Sequence, residues 1–120
     1  MAKILIVDDE TNVRKLYSEE LRCEGYETVL ASTVKEALEA VEREEPDLVI
    51  LDIKLGEESG IDALMKIAKQ RKHLPVILNS AYSMYRDNFQ TWAADAYIVK
   101  SVDLAPLKEK IKDLLTTRSV

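Results

Sequence analysis

Lys3-Ile4-Leu5-Ile6-Val7-Asp8-Asp9-Glu10 opens the chain with four consecutive apolar residues running into three acids, and Pro46-Asp47-Leu48-Val49-Ile50-Leu51-Asp52 repeats the arrangement, ending on one acid. A short apolar run without alternation is what a strand covered on both faces requires. Three further runs fit the same reading: Val29 to Ala31, Val76 to Leu78 and Tyr97 to Val99. Between the runs the apolar residues fall at helical spacing. Val13, Leu16, Tyr17 and Leu21 form one stripe, and Ile61, Leu64, Met65 and Ala68 another. Val34, Ala37, Leu38 and Val41 form a third, opened by Thr33 and Glu36 as a capping box. A fourth helix is expected from about Tyr82 to Trp92, carrying Tyr85, Phe89 and Trp92 amid polar residues that favour helix weakly. The last helix carries Leu104, Leu107, Ile111 and Leu114, with Asp103 as N-cap and Pro106 tolerated in the first turn.

Strand and helix therefore alternate five times, which predicts an α/β domain: a five-stranded parallel sheet with helices on both faces. The expected strand order is 2-1-3-4-5, the flavodoxin-like topology. No linker or repeat interrupts the pattern, so residues 1–120 read as one domain, with no output domain expected within them.

Composition narrows the function. With 47% hydrophobic and 32% charged residues and only 3 Gly and 3 Pro, the chain is that of a globular protein. A formal net charge of -5 and the lack of a basic tract argue against binding nucleic acid or anionic lipid. The run Ile4 to Val7 is too short for a signal sequence or a membrane span, so a cytoplasmic location is expected. Cys23 is the lone cysteine, read as an inert thiol in a buried or lateral helix position, and His73 sits in a basic loop.

In an open parallel sheet, function gathers beyond the carboxyl ends of the strands, at the point where strand order reverses, here between the first and third strands. Asp8, Asp9 and Glu10 end the first strand, Asp52 the third, Asn79 and Ser80 the fourth and Lys100 the fifth. Asp9 and Glu10 could simply complement a helix N-terminus. Asp52 beside them changes that, because three carboxylates at one site repel unless a cation intervenes. A hard divalent cation such as Mg²⁺, held by Asp9, Asp52, a nearby backbone carbonyl and a phosphoryl group, meets the need. A buried Lys100 requires an anionic partner, and Ser80 offers a hydroxyl to a phosphoryl oxygen. The chemistry suggested is attack by Asp52 on an activated phosphoryl donor.

These residues resemble the receiver domain of response regulators over essentially the whole chain: Ile4 to Glu10, Pro46 to Asp52, Ser80-Ala81 and Tyr97 to Lys100. The resemblance implies a two-component or phosphorelay signalling domain, not an enzyme acting on a separate substrate, that catalyses its own aspartyl phosphorylation and slow dephosphorylation. By it, Asp52 is the phosphoacceptor, Asp8 and Asp9 serve Mg²⁺ with the carbonyl of Lys54, and Ser80 and Lys100 complete the catalytic set. Tyr97 resembles the aromatic that swings inward when Ser80 is drawn to the phosphate. The implied donor is a sensor histidine kinase or histidine phosphotransfer protein. The implied downstream protein partner binds a surface including Tyr85, Tyr97 and Lys108, and the resemblance allows a dimer.

Three positions depart from the family pattern. Gly56 stands where Pro is usual, which predicts a less rigid loop after Asp52; Ala93 replaces a common Gly; Ser101 replaces the Pro after the lysine. A non-proline cis bond costs roughly 2.5 to 4 kcal/mol, so the Lys100–Ser101 bond is expected to be trans, with Lys100 still reaching Asp52. By the geometry the resemblance implies, Lys54 and Tyr82 border the path of a hydrolytic water and lengthen the life of the phosphorylated state, the alternative being that both side chains swing into solvent. Flavodoxin-type FMN binding is disfavoured because Asp8-Asp9-Glu10 would repel the phosphate, and haloacid dehalogenase chemistry because the nucleophile spacing and cap domain are lacking. An unphosphorylated pseudo-receiver is the remaining alternative.

Overall fold

Each apolar run forms a strand in the computed structural model, which describes residues 2–81, 94–101 and 103–118. The strands of the main sheet are β1 (Lys3–Val7), β2 (Glu27–Ala31), β3 (Leu48–Leu51), β6 (Val76–Ser80) and β7 (Ala96–Val99). All its pairings are parallel, in the order β2-β1-β3-β6-β7, which is the expected 2-1-3-4-5 order. Between β3 and β6 lie β4 (Lys54–Leu55) and β5 (Glu58–Ser59), and the described helices are α1 (Thr11–Cys23), α2 (Val34–Glu44), α3 (Gly60–Gln70) and α4 (Ala105–Arg118). The helix expected over residues 82–92, and Ala93, lie outside the described residues.

Alternation along the strands builds a core on each face of the sheet. Leu5, Val7, Val49, Leu51, Val76 and Leu78 pack under Val34, Ala37 and Val41 of α2 and Ala63, Leu64 and Ile67 of α3. On the other face, Ile4, Ile6, Leu48, Ile50 and Ile77 meet Tyr17 and Leu21 of α1 and Leu107 and Ile111 of α4. The central strands β1, β3 and β6 are thus covered on both sides. The edge strand β2 is not: Leu30 is 45% exposed, which corrects the expectation that its run is buried on both faces.

Two helical stripes are rotated from their expected positions. In α1, Tyr17 and Leu21 are buried while Leu16 is 48% exposed, because Leu16 falls on the flank of the arc they define. In α3 the buried face is Gly60, Ala63, Leu64 and Ile67, whereas Met65 is 47% exposed. The cause is Gly60, whose amide donates to the Ile53 carbonyl. A Cβ there would lie 1.8 Å from the Asp52 carbonyl oxygen and 2.7 Å from the Ile53 Cα. Only a residue without a side chain lets α3 begin against the backbone of the β3 end, and this contact sets the rotation of the helix.

The hairpin β4–β5 was not anticipated. Gly56 has φ 64°, and glycine in the first position of a two-residue hairpin loop is the signature of a type II′ turn. The segment after Asp52 is therefore a hairpin, tied by the Gly56 amide to Asp9 Oδ2 at 3.0 Å and by Glu58 Oε1 to the Val34 amide at 3.2 Å. The α2 cap is also modified. Thr33 Oγ1 accepts from the Glu36 amide at 3.1 Å, but Glu36 Oε1 reaches back one residue further, to the amide and hydroxyl of Ser32 at 2.7 and 2.8 Å. Cys23 is exposed, the lateral alternative of its two expected positions. Asp103 Oδ1 accepts from the Ala105 amide at 3.0 Å, and Pro106 occupies the first turn of α4. No described helix is long and apolar enough to cross a membrane.

Gly60→Ala should cost about 1 to 3 kcal/mol or more through overpacking against an immovable backbone. Thermal denaturation monitored by circular dichroism will register it as a lowered midpoint. Gly25→Ala, where a Cβ meets nothing within 4 Å, isolates the smaller cost of positive φ alone.

Candidate functional site

The sheet ladder runs one residue beyond the strand ends and fixes the site residues through their backbones. The Asp8 amide donates to the Ala31 carbonyl at 3.1 Å, the Asp52 amide to the Val7 carbonyl at 3.0 Å, and the Lys100 amide to the Ser80 carbonyl at 2.7 Å. Registers Val7 with Leu51 and Leu51 with Leu78, carried one step on, set Asp8, Asp52 and Asn79 side by side. Alternation places all three on the face of Ile6, Ile50 and Ile77, the α1 and α4 side.

Lys100 completes the arrangement. Its Nζ lies 2.8 Å from Asp8 Oδ2 and 3.1 Å from Asp52 Oδ2, so one ammonium bridges two buried carboxylates. Among the described residues there is no cis peptide bond, so Lys100–Ser101 is trans, and Lys100 reaches Asp52 as expected. Ser101 Oγ accepts from the Asp103 amide at 3.2 Å.

Burial, opposed by the hydrogen bonds and charges of Asp8 and Asp52, leaves the net balance strongly in favour of the lysine proton, and Lys100 is held well above the usual lysine range. Asp52 has one cation to share and a like charge beside it. Desolvation, with repulsion from Asp8, outweighs the attraction of Lys100 and raises its carboxyl above the usual aspartate value.

The acids divide between two tasks. Asp8, Asp9 and Glu10 each offer a carboxylate oxygen, all within 4.8 Å of one another, a hard oxygen donor set suited to a divalent cation. Asp52 stands next to this group, with Oδ2 turned to Lys100 and Oδ1 facing the Lys54 amide at 3.4 Å. Asp8 belongs to both arrangements: it shares Lys100 with Asp52, and its carboxylate lies with those of Asp9 and Glu10. Asp8 Oδ1 accepts from the Glu10 amide at 2.9 Å, which keeps the turn into α1 tight.

Ser80 is buried at the end of β6, directly before the exposed Ala81. Tyr97 pairs in register with Leu78 and is partly buried against the α2–α3 core. The Lys54 side chain is exposed, and Tyr82 and Tyr85 lie outside the described residues. Lys108 Nζ pairs with Glu20 at 3.0 Å across α4 and α1.

Three contributors escaped the sequence. Arg14 donates to the Asp8 carbonyl at 2.6 Å, Gly60 supports the Asp52 backbone, and Tyr17 joins Asn79 through a 2.6 Å hydrogen bond from the amide to the phenol. Only Gly60 left a trace, an isolated glycine opening a helical pattern; Tyr17 reads as one more apolar residue of a stripe.

Residues 4–112 match the response regulator receiver domain family. Sporulation initiation phosphotransferase F of Bacillus subtilis is 33% identical over 120 residues, covering 98% of this chain and 96% of that protein. Regulatory protein AtoC of Escherichia coli is 34% identical, and the chain spans only 26% of its length. The response regulator TrrA of Thermotoga maritima, crystallised with Mg²⁺-BeF, superposes with a TM-score of 0.92 at 47% identity, covering 95% of this chain and 99% of that one. TrrA in complex with the histidine kinase ThkA superposes at 0.90 with 48% identity, covering 96% and 99%. With its sheet order, its acidic strand ends and a family match spanning nearly its whole length, this chain belongs to the response regulator receiver domains.

Proposed function

We propose that this chain is a phosphoacceptor switch in which Asp52 takes a phosphoryl group from a phosphohistidine donor, in a two-component or phosphorelay pathway. The observation that carries the reading is the bridge of Lys100 to Asp8 and Asp52 beside the Asp8, Asp9 and Glu10 carboxylates. In the reaction, a carboxylate oxygen of Asp52 bonds to phosphorus as the bond from phosphorus to the donor nitrogen breaks. Lys100 holds charge opposite the acceptor and can follow it onto a phosphoryl oxygen, and the Ser80 hydroxyl can donate to another. Asp8 and Asp9, with Asp52 and the Lys54 carbonyl, would hold Mg²⁺. Bound there, the ion would offset carboxylate repulsion and the charge of the transferring group. The chain's own contribution is positioning and electrostatics, by which it catalyses its own phosphorylation and slow dephosphorylation.

TrrA, similar at 48% identity, has been captured with a histidine kinase, which supports a sensor kinase or histidine phosphotransfer protein as donor. On this reading residues 1–120 act as one cytoplasmic receiver unit. Tyr97 would follow Ser80 and change a surface, including Lys108, presented to a downstream protein or a second copy.

Incubation with phosphoramidate and Mg²⁺ should add one acid-labile phosphoryl group by intact-mass spectrometry. Asp52→Asn or chelation of Mg²⁺ should abolish the gain. Labelling of Asp52→Asn at the wild-type rate would overturn the assignment, and an unlabelled wild type would favour the pseudo-receiver.

The raised carboxyl of Asp52 also sets a pH dependence. A carboxyl whose folded pKa exceeds its unfolded value favours the fold when protonated and loses that contribution as pH rises through the folded pKa. Ionised Asp52 therefore destabilises the cation-free protein at neutral pH. Asp52→Asn should raise the melting temperature there, with Lys100 keeping Asp8 as partner, and the gain should shrink as pH falls into the carboxylate range. Melting curves without divalent cations, taken from neutral to acidic pH, measure it.

A further inference from the structure

Lys100 approaches its acids from a distance that the sheet order makes explicit. It follows β7, whereas Asp52 follows β3, and β6 lies between them. Two strand spacings, roughly 10 Å, separate those strand ends. The lysine stem must therefore cross the end of β6 to place its ammonium 3.1 Å from Asp52 and 2.8 Å from Asp8. It crosses on the face that Ile98 shares with Ile77; on that face of β6, Asn79 stands level with Ile98 and, by register, with Asp52, two residues short of the level of Lys100.

Asn79 is 2% exposed and does not stand free. Its amide donates to the Tyr17 hydroxyl at 2.6 Å, and Tyr17, itself 5% exposed, is anchored in the core through which α1 packs on the sheet. An amide in such a place has one orientation fixed by its donor bond. The phenol accepts that bond and keeps its own proton to donate. Burial holds that proton firmly, and Lys100, Asp8 and Asp52 all lie close enough to act on the phenol electrostatically.

We propose that Tyr17 and Asn79 are a positioning pair for the acceptor site: the hydrogen bond from β6 to α1 fixes the side chain over which Lys100 runs and thereby aims its ammonium at Asp52. The proposal rests on the reading of Asp52 as phosphoacceptor. Neither residue touches the phosphoryl group; both act through Lys100.

Two variants test it. Tyr17→Phe removes the acceptor of the Asn79 amide. The double variant Tyr17→Phe/Asn79→Leu removes both partners and leaves no orphaned polar group, so it serves if the single variant does not fold. The first readout is the NMR resonance of the Lys100 ammonium in protein labelled with ¹⁵N at lysine Nζ, assigned by its loss in Lys100→Met. The second is the rate constant of Asp52 labelling by phosphoramidate at saturating Mg²⁺. Both variants should shift or broaden the Lys100 resonance and slow labelling roughly 10-fold or more, since catalysis by positioning is lost steeply with small displacements. In a Lys100→Met background, Tyr17→Phe should have no further effect. An unchanged Lys100 resonance with labelling at the wild-type rate overturns the proposal, as does an equal slowing in the Lys100→Met background. Failure of wild-type protein to take phosphate at Asp52 would instead sink the phosphoacceptor reading on which the proposal stands.

Discussion

One ammonium held between two buried carboxylates is the constraint around which this domain is arranged. Lys100 satisfies Asp8 and Asp52 together, at 2.8 and 3.1 Å, from the far side of an intervening strand. Burying such charges is costly unless each finds its counterpart in good geometry. That geometry exists only if β1, β3, β6 and β7 are parallel neighbours in a fixed register. The ladder bonds past the strand ends, from Asp8 to Ala31, Asp52 to Val7 and Lys100 to Ser80, hold that register.

The bridge is also unbalanced. Two acids share one cation, so the lysine is secured while Asp52 keeps an unfavourable environment for its charge. A carboxylate left with excess local repulsion gains from any added positive charge nearby, and the oxygen cluster of Asp8, Asp9 and Glu10 offers a place for it. Resting-state strain of this kind is expected at a site built to receive a cation and an anionic group rather than for stability alone.

Around the bridge, packing decides what the charges can do. Gly60 lets α3 start against the Asp52–Ile53 backbone, and the adjoining hairpin is clipped to Asp9 through the Gly56 amide. Beneath the acids, Tyr17 and Asn79 join α1 to the end of β6. Substitutions at these positions would reach Asp52 through the packing around it, since interiors packed this closely transmit small displacements.

Periodicity and strand-end composition determined the fold in this protein. Unbroken apolar runs such as Leu48 to Leu51 specify strands covered on both faces. Helical stripes between them force parallel connections, and acids at two strand ends with a lysine at another mark one crevice. The site was legible because backbone direction alone carries Asp8, Asp52, Ser80 and Lys100 to one edge. Tertiary structure decided what depends on close approach between distant segments. The rotation of α3 follows from a glycine pressed on a backbone, the exposure of Leu30 from its edge position, and the hydrogen bond of Tyr17 from a partner 62 residues away. No local pattern encodes such contacts, because a side chain's apolar spacing is the same whether its polar tip meets solvent or an asparagine in the core.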